Sequence, residues 1–179
     1  LKYFFVAEKG KGVAIRRAWE ANDADIYCFM DADLSTDLEA LPLLIGAIEK
    51  DTYDVACGSR THKDSKVQRS GVRKIVSFGY RIILKLVFGL SVGDAPCGFK
   101  AINNNIKKFI LPKVQNNEWF FDSELIILSE KSGYKIQEIP VHWSGQEEAG
   151  RVSKVNILSL SFEYIKKVFE LYRRLKKGK

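Results

Sequence analysis

Ile26-Tyr27-Cys28-Phe29-Met30-Asp31-Ala32-Asp33-Leu34-Ser35-Thr36 is an apolar run that stops at two carboxylates separated by one small residue. A continuous run of this kind, followed by a new helical pattern, predicts a strand buried on both faces of a parallel sheet. Ligands of such sheets lie beyond the carboxyl ends of the strands, where Asp31 and Asp33 stand. Two carboxylates so spaced, where a strand opens into a turn, can reach toward one hard cation. Mg²⁺ or Mn²⁺ is commonly held by one or two carboxylates, with water and substrate phosphates completing the shell. The plainer alternative is that Asp33 or Ser35 caps the next helix.

The chain has 179 residues, 46% of them hydrophobic, enough for one domain with a real core. Its net charge of +7 points to an anionic partner. Cys28, Cys57 and Cys97 lack metal-type spacing, which favours reduced thiols in a cytosolic compartment. The apolar stretch 75–90 is interrupted by Arg81 and Lys85, so it is not expected to span a bilayer. The chain opens at Leu1, without methionine, so a longer protein is expected.

Leu1-Lys2-Tyr3-Phe4-Phe5-Val6 reads as a strand, followed by Lys9-Gly10-Lys11-Gly12 and a helical pattern. Glycines and lysines at a helix start suit a phosphate, although an ordinary basic turn has the same composition. Residues 38–50 form an amphipathic helix, and residues 53–60 a strand ending at Ser59 and Arg60. This alternation predicts βαβ units. Residues 61–70 read as a basic loop, either solvated surface or a lid over an anion. Residues 72–90 are helical, with an apolar face for the core or a membrane interface and with Arg73 among their cations.

Residues 89–99 read as a loop carrying Asp94. Asp122, Ser123 and Glu124 open another helix, as caps or as pocket carboxylates. Residues 134–143 form an edge strand consistent with Pro140, and His142 is read as structural. From residue 155, Leu158, Phe162, Ile165, Phe169 and Tyr172 recur at helical spacing opposite Lys166, Lys167, Arg173 and Arg174. Such a basic amphipathic helix suits an anionic membrane surface, or packing on its own domain.

Taken in order, these motifs resemble the family-2 glycosyltransferases, in particular the dolichyl- and polyprenyl-phosphate glucose and mannose synthases. Lys9-Gly10-Lys11-Gly12 resembles the Asn-x-Gly-Lys-Gly segment, with Glu8 in place of asparagine, and Asp31-Ala32-Asp33 the metal and sugar-nucleotide motif. Gly58-Ser59-Arg60, Asp94 with Cys97-Gly98-Phe99-Lys100, Phe121-Asp122-Ser123-Glu124 and Arg151 with Ser153-Lys154 match later segments.

The resemblance implies a GT-A-type α/β fold: a mostly parallel sheet flanked by helices, lacking its first β-α-β segment. The missing part would be about fifty residues, the size of a βαβ unit and its following helix. The implied division is a catalytic domain over 1–150 and a basic amphipathic helix over 151–179. The implied reaction is inverting transfer of a hexose from UDP-glucose, or alternatively GDP-mannose, to dolichyl or polyprenyl phosphate. In it Asp31 and Asp33 hold Mg²⁺ or Mn²⁺, and Lys9, Gly10, Lys11, Gly12, Asp31, Ala32 and Asp33 meet the donor. Asp94 serves the acceptor as catalytic residue, and Arg60, Arg73, Arg151, Ser153 and Lys154 hold its phosphate. Ser59, Asp122 and Glu124 are further pocket candidates.

The expected location is the cytoplasmic face of a membrane, peripheral or monotopic, with room for a homo-oligomer. A family-2 transferase acting on a polysaccharide or soluble acceptor is the competing reading, and a membrane-bound transferase relic a further one. A nucleic-acid module, suggested only by charge, is disfavoured because the aromatics fall in strand and helix cores.

Overall fold

The computed structural model describes residues 5–68, 71–144 and 157–177, apart from the side chains of 72, 73 and 157–160. Helix α1 (Lys11–Glu20) leads into strand β1 (Ile26–Met30). A 3₁₀ turn (Leu38–Ala40), with Asp37 accepting from the Glu39 N–H as its N-cap, opens α2 (Leu41–Glu49), and β2 (Val55–Ser59) follows. Next come β3 (Lys66–Gln68), α3 (Gly71–Phe88), β4 (Phe99–Asn103) and α4 (Asn104–Phe109). After a second 3₁₀ turn, α5 (Phe121–Lys131), β5 (Ile136–Pro140), β6 (His142–Ser144) and α6 (Ile157–Lys177) complete the order.

The main sheet has the order β1-β4-β2-β5. Strands β1, β2 and β5 share one direction, and β4 runs antiparallel between β1 and β2. A mostly parallel direction was expected, but the opposed strand was not. Its register sets Met30 opposite Phe99 and Cys57 opposite Lys100. The loop expected over 89–99 therefore ends in a central strand, which brings Gly98, at the end of the Asp94 loop, against the end of β1. Contrary to the expected burial of β1 on both faces, it is an edge strand among the described residues, and only Tyr27 in it is fully buried.

Alternation along the central strands divides the core into two layers. Val55, Cys57 and Ile102 pack with Trp19, Leu84, Phe88, Leu125 and Val168, whereas Ala56, Phe99 and Ala101 pack with Leu44 and Ile48 of α2. Helices thus cover both faces of the sheet. Helix α6 buries Val168 and Leu171 in the larger layer, so it lies on the domain.

Two expected elements differ locally. The 61–70 loop contains β3, which pairs in parallel with β6, Lys66 opposite His142. The edge strand over 134–143 divides at Val141, so β5 joins the main sheet and β6 the small one. Of the strand expected at 1–6, residues 1–4 lie outside the described residues, and Phe5 and Val6 are not in a strand.

Candidate active site

The carboxyl end of β1 delivers Asp31 into a junction of three segments. Its backbone N–H donates to the Gly98 carbonyl at 2.9 Å, which ties it to the Asp94 loop, and its side chain is 43% exposed. A Cβ on Gly98 would fall on the Asp31 carboxylate, so a larger residue there would displace that side chain. Asp33 is exposed, and its Oδ1 accepts from the Ser35 N–H at 3.0 Å. That bond closes a local turn and does not cap a helix: Asp37 caps the next one, contrary to the capping expected of Asp33 or Ser35, and Asp33 stays at the rim beside Asp31.

Lys11, the first residue of α1, reaches across the junction. Its Nζ lies 2.7 Å from Asp31 Oδ1 and 2.5 Å from Asp122 Oδ2. Burial alone would lower the Lys11 pKa, but the Asp122 and Asp31 charges reverse this and leave it raised. Gly10 and Gly12 are explained by packing: a Cβ on Gly10 would strike the Asn117 carbonyl, and one on Gly12 the Phe121 ring. Gly10 also has φ 144°, a region open to glycine. This packing sets the start of α1 against the start of α5, which brings Lys11 to Asp122. Lys9 and Ala32 are exposed.

Asp122 is 2% exposed, and its Oδ1 has no hydrogen-bond partner. Burial pushes its carboxyl up from the ordinary value, and the Lys100 and Lys11 charges offset only part of that. Lys100 is fully buried on β4, bonds the Cys97 carbonyl and lies 5.8 Å from the centre of the Phe29 ring. Sequence patterning missed it, because a lysine inside a strand core breaks the apolar run that would reveal the strand.

Asp94, 5% exposed, is clamped by Arg60 through the backbone N–H, Nε and Nη2, each at 2.7 Å. Ser59 is buried, and its Oγ shares a 3.2 Å hydrogen bond with the Thr61 hydroxyl. Glu124 faces elsewhere: its carboxylate accepts from the Gln115 and Asn116 N–H groups and pairs with Arg174 of α6, a structural tie. The Arg73 side chain and Arg151, Ser153 and Lys154 lie outside the described residues.

Beside this junction a cavity of about 470 Å³ is lined by Leu34, Thr36, Lys66, Gln68, His142 and Trp143. At its edge Asp37, Glu39 and His142 bring ligand-type atoms within 4.8 Å of one another, all three exposed. The sequence reading did not find this trio, because His142 lies about a hundred residues from Asp37 and Glu39 and is brought to them by the backbone bond from the Asp37 N–H to the His142 carbonyl.

The donor set at Asp31 fits a hard divalent cation. It offers carboxylate oxygens at an accessible strand end and, nearby, a buried carboxylate oxygen lacking a donor.

The profile described as glycosyl transferase family 2 matches residues 1–110. The glycosyltransferase AglD of Haloferax volcanii is 33% identical over 134 residues, covering 75% of this chain and 22% of that protein. The dolichyl-phosphate beta-glucosyltransferase of Dictyostelium discoideum is 32% identical over 76% of this chain and 43% of its own length. The Saccharomyces cerevisiae enzyme of that name is 32% identical over 78% and 46%. The chain thus spans less than half the length of these relatives. Among solved structures, glucosyl-3-phosphoglycerate synthase from Mycobacterium tuberculosis, in complex with Mn²⁺, UDP-glucose and phosphoglyceric acid, superposes with a TM-score of 0.58 at 16% identity. That match covers 94% of this chain and 56% of that one, and it shows the shared fold.

Proposed function

Because the chain belongs to glycosyltransferase family 2, we propose that it is the catalytic part of an inverting transferase that moves glucose from UDP-glucose to a dolichyl or polyprenyl phosphate. Two relatives named dolichyl-phosphate beta-glucosyltransferase support the acceptor, and the solved neighbour in complex with UDP-glucose supports the donor over GDP-mannose. The observation that carries the reading is the meeting of Asp31, Lys11 and Asp122 at the end of β1, with the Arg60–Asp94 clamp on the loop that bonds the Asp31 N–H.

In this reading Asp31 and Asp33 hold Mg²⁺ or Mn²⁺, which supplies positive charge against the negative charge growing on the departing diphosphate. Lys11 meets the same diphosphate as a mobile point charge. The acceptor phosphate is already anionic near neutral pH, so the task of Asp94 is to orient it and take up any residual proton. Arg60, locked by Asp94, presents a fixed guanidinium to that phosphate, and Arg73, Arg151, Ser153 and Lys154 complete its cradle.

A polyprenyl acceptor requires the enzyme to meet a bilayer. No described helix is long and apolar enough to cross one. Helices α3 and α6 pack together and expose Ile75, Phe78, Leu86, Phe162 and Phe169 beside Lys74, Arg81, Lys85, Lys166 and Arg173. Apolar insertion combined with attraction to anionic lipid is the arrangement of a peripheral protein. We place it on the cytoplasmic face.

Calorimetry of the full-length protein with UDP-glucose and GDP-mannose, with and without Mn²⁺, tests the donor assignment. Metal-dependent binding of UDP-glucose alone is expected. Preference for GDP-mannose would reassign the donor, and binding of neither would remove the transferase reading.

A further inference from the structure

We propose that Lys11 acts as a resident stand-in for the divalent cation: its ammonium bridges Asp31 and Asp122, and it leaves that position for the donor diphosphate when the metal enters. The inference rests on the metal reading above and concerns what this chain does before donor binds.

Two carboxylates that share one ammonium, at 2.7 and 2.5 Å, form a cation position by geometry. Such a pair requires a positive charge between its members, because like charges this close otherwise resist ionisation. Lys11 supplies one charge and three N–H donors. That is not enough for the site: the buried Oδ1 of Asp122 has no hydrogen-bond partner. A divalent cation brings twice the charge and takes about six oxygen ligands. It therefore outcompetes the ammonium for Asp31, the carboxylate that the metal position of Asp31 and Asp33 shares with Lys11, and so releases Lys11 from the junction. Lys100, held on the Cys97 carbonyl, cannot replace Lys11, because it is rooted in the sheet and fully buried.

The route out is also visible. Lys11 stands at the first position of α1 on a flexible four-carbon stem. Its Nζ lies 5.2 Å from the centre of the Phe29 ring and 5.8 Å from that of Trp119. These ring faces give the ammonium a favourable surface once the carboxylates are taken. Asp122 makes no capping bond on α5, contrary to the capping alternative read from the sequence; its role is to hold Lys11 over the cation position and give it up when a stronger cation arrives.

The test is lysine acetylation of the full-length protein at constant pH, read by mass spectrometry, with exposed Lys9 as internal reference. In chelator-treated protein Lys11 should be protected. Saturating Mn²⁺ alone should raise its reactivity about tenfold, equivalent to releasing roughly 1.4 kcal/mol of pairing, and UDP added with Mn²⁺ should protect it again. Mn²⁺ bound, as read by electron paramagnetic resonance, with Lys11 reactivity unchanged would overturn the exchange while leaving the metal reading intact. No Mn²⁺ binding would overturn both. Lys11→Met, checked for native folding by circular dichroism, should bind Mn²⁺ more tightly because a competing cation is gone. Equal or weaker Mn²⁺ binding by a folded variant would count against the stand-in role.

Discussion

Arg60 grips Asp94 with both its backbone and its side chain: the N–H and Nε share Oδ2, and Nη2 takes Oδ1. The clamp aligns a carboxylate that is 5% exposed and holds it in one orientation. It also fixes the guanidinium plane, whose pKa rises because the Asp94 charge outweighs the opposing effect of burial. Arg60→Ala would take the guanidinium charge and its two side-chain bonds away from the buried Asp94. We expect a loss of about 3–5 kcal/mol of stability, measured by urea unfolding. Arg60→Lys, which keeps the charge but not the fork, should cost less stability while still impairing acceptor use. A fully stable Arg60→Ala protein would show that the clamp is not structural.

Glycines 98 and 46 make opposite predictions. A Cβ on Gly98 would occupy the space of the Asp31 carboxylate, whereas one on Gly46 in α2 meets nothing within 4 Å. Gly98→Ala should displace Asp31, cost about 1–3 kcal/mol and weaken Mn²⁺ binding. Gly46→Ala should stabilise by about 0.5–1 kcal/mol through helix propensity and unfolded-state entropy. Thermal melts of both, with Mn²⁺ titration of Gly98→Ala, decide the matter.

Much of this arrangement was legible in the chain. The apolar run into Asp31 and Asp33, the helices over 38–50 and 72–90, and the polar end of β2 all follow from periodicity. Strand β4 did not, because Lys100 breaks its pattern and its partners lie more than forty residues upstream in β2 and about seventy upstream in β1. The Lys11–Asp31–Asp122 bridge was equally hidden. Its members are named in the sequence, but only the close approach of Gly12 to Phe121 explains why they meet. Glu124, beside Asp122 in sequence, turned out to tie α6 to the domain, since a helix sends neighbouring positions to different sides.

The thiols predict an alkaline transition. Burial pushes Cys28 and Cys97 up to about 11, and Cys57 well up, from an ordinary value of 9.0. A raised folded value means the native state favours the protonated thiol. That contribution to stability is complete below pH 9 and is lost as the pH rises through about 11. Urea midpoints should therefore hold to pH 8 and fall between pH 9 and 11, less steeply in Cys28→Ala. Iodoacetamide at pH 8 should label the native thiols far more slowly than the unfolded ones.

The exposed face of α3 and α6 predicts lipid binding. Leu86 is 80% exposed and Phe162 75%, so glutamate at either position removes little packing. Leu86→Glu and Phe162→Glu should stay within about 0.5 kcal/mol of the parent stability and lose co-flotation with anionic vesicles. Full flotation of the double variant would assign membrane contact to another surface.

The most direct measurement is glycolipid formation by the full-length protein from radiolabelled UDP-glucose and dolichyl phosphate in vesicles. The account predicts an organic-soluble glucosyl lipid that requires Mn²⁺ or Mg²⁺ and disappears in Asp31→Asn and in Asp33→Asn, with the melting temperature of each variant preserved. Undiminished product from either variant, or from chelator-treated enzyme, would contradict it.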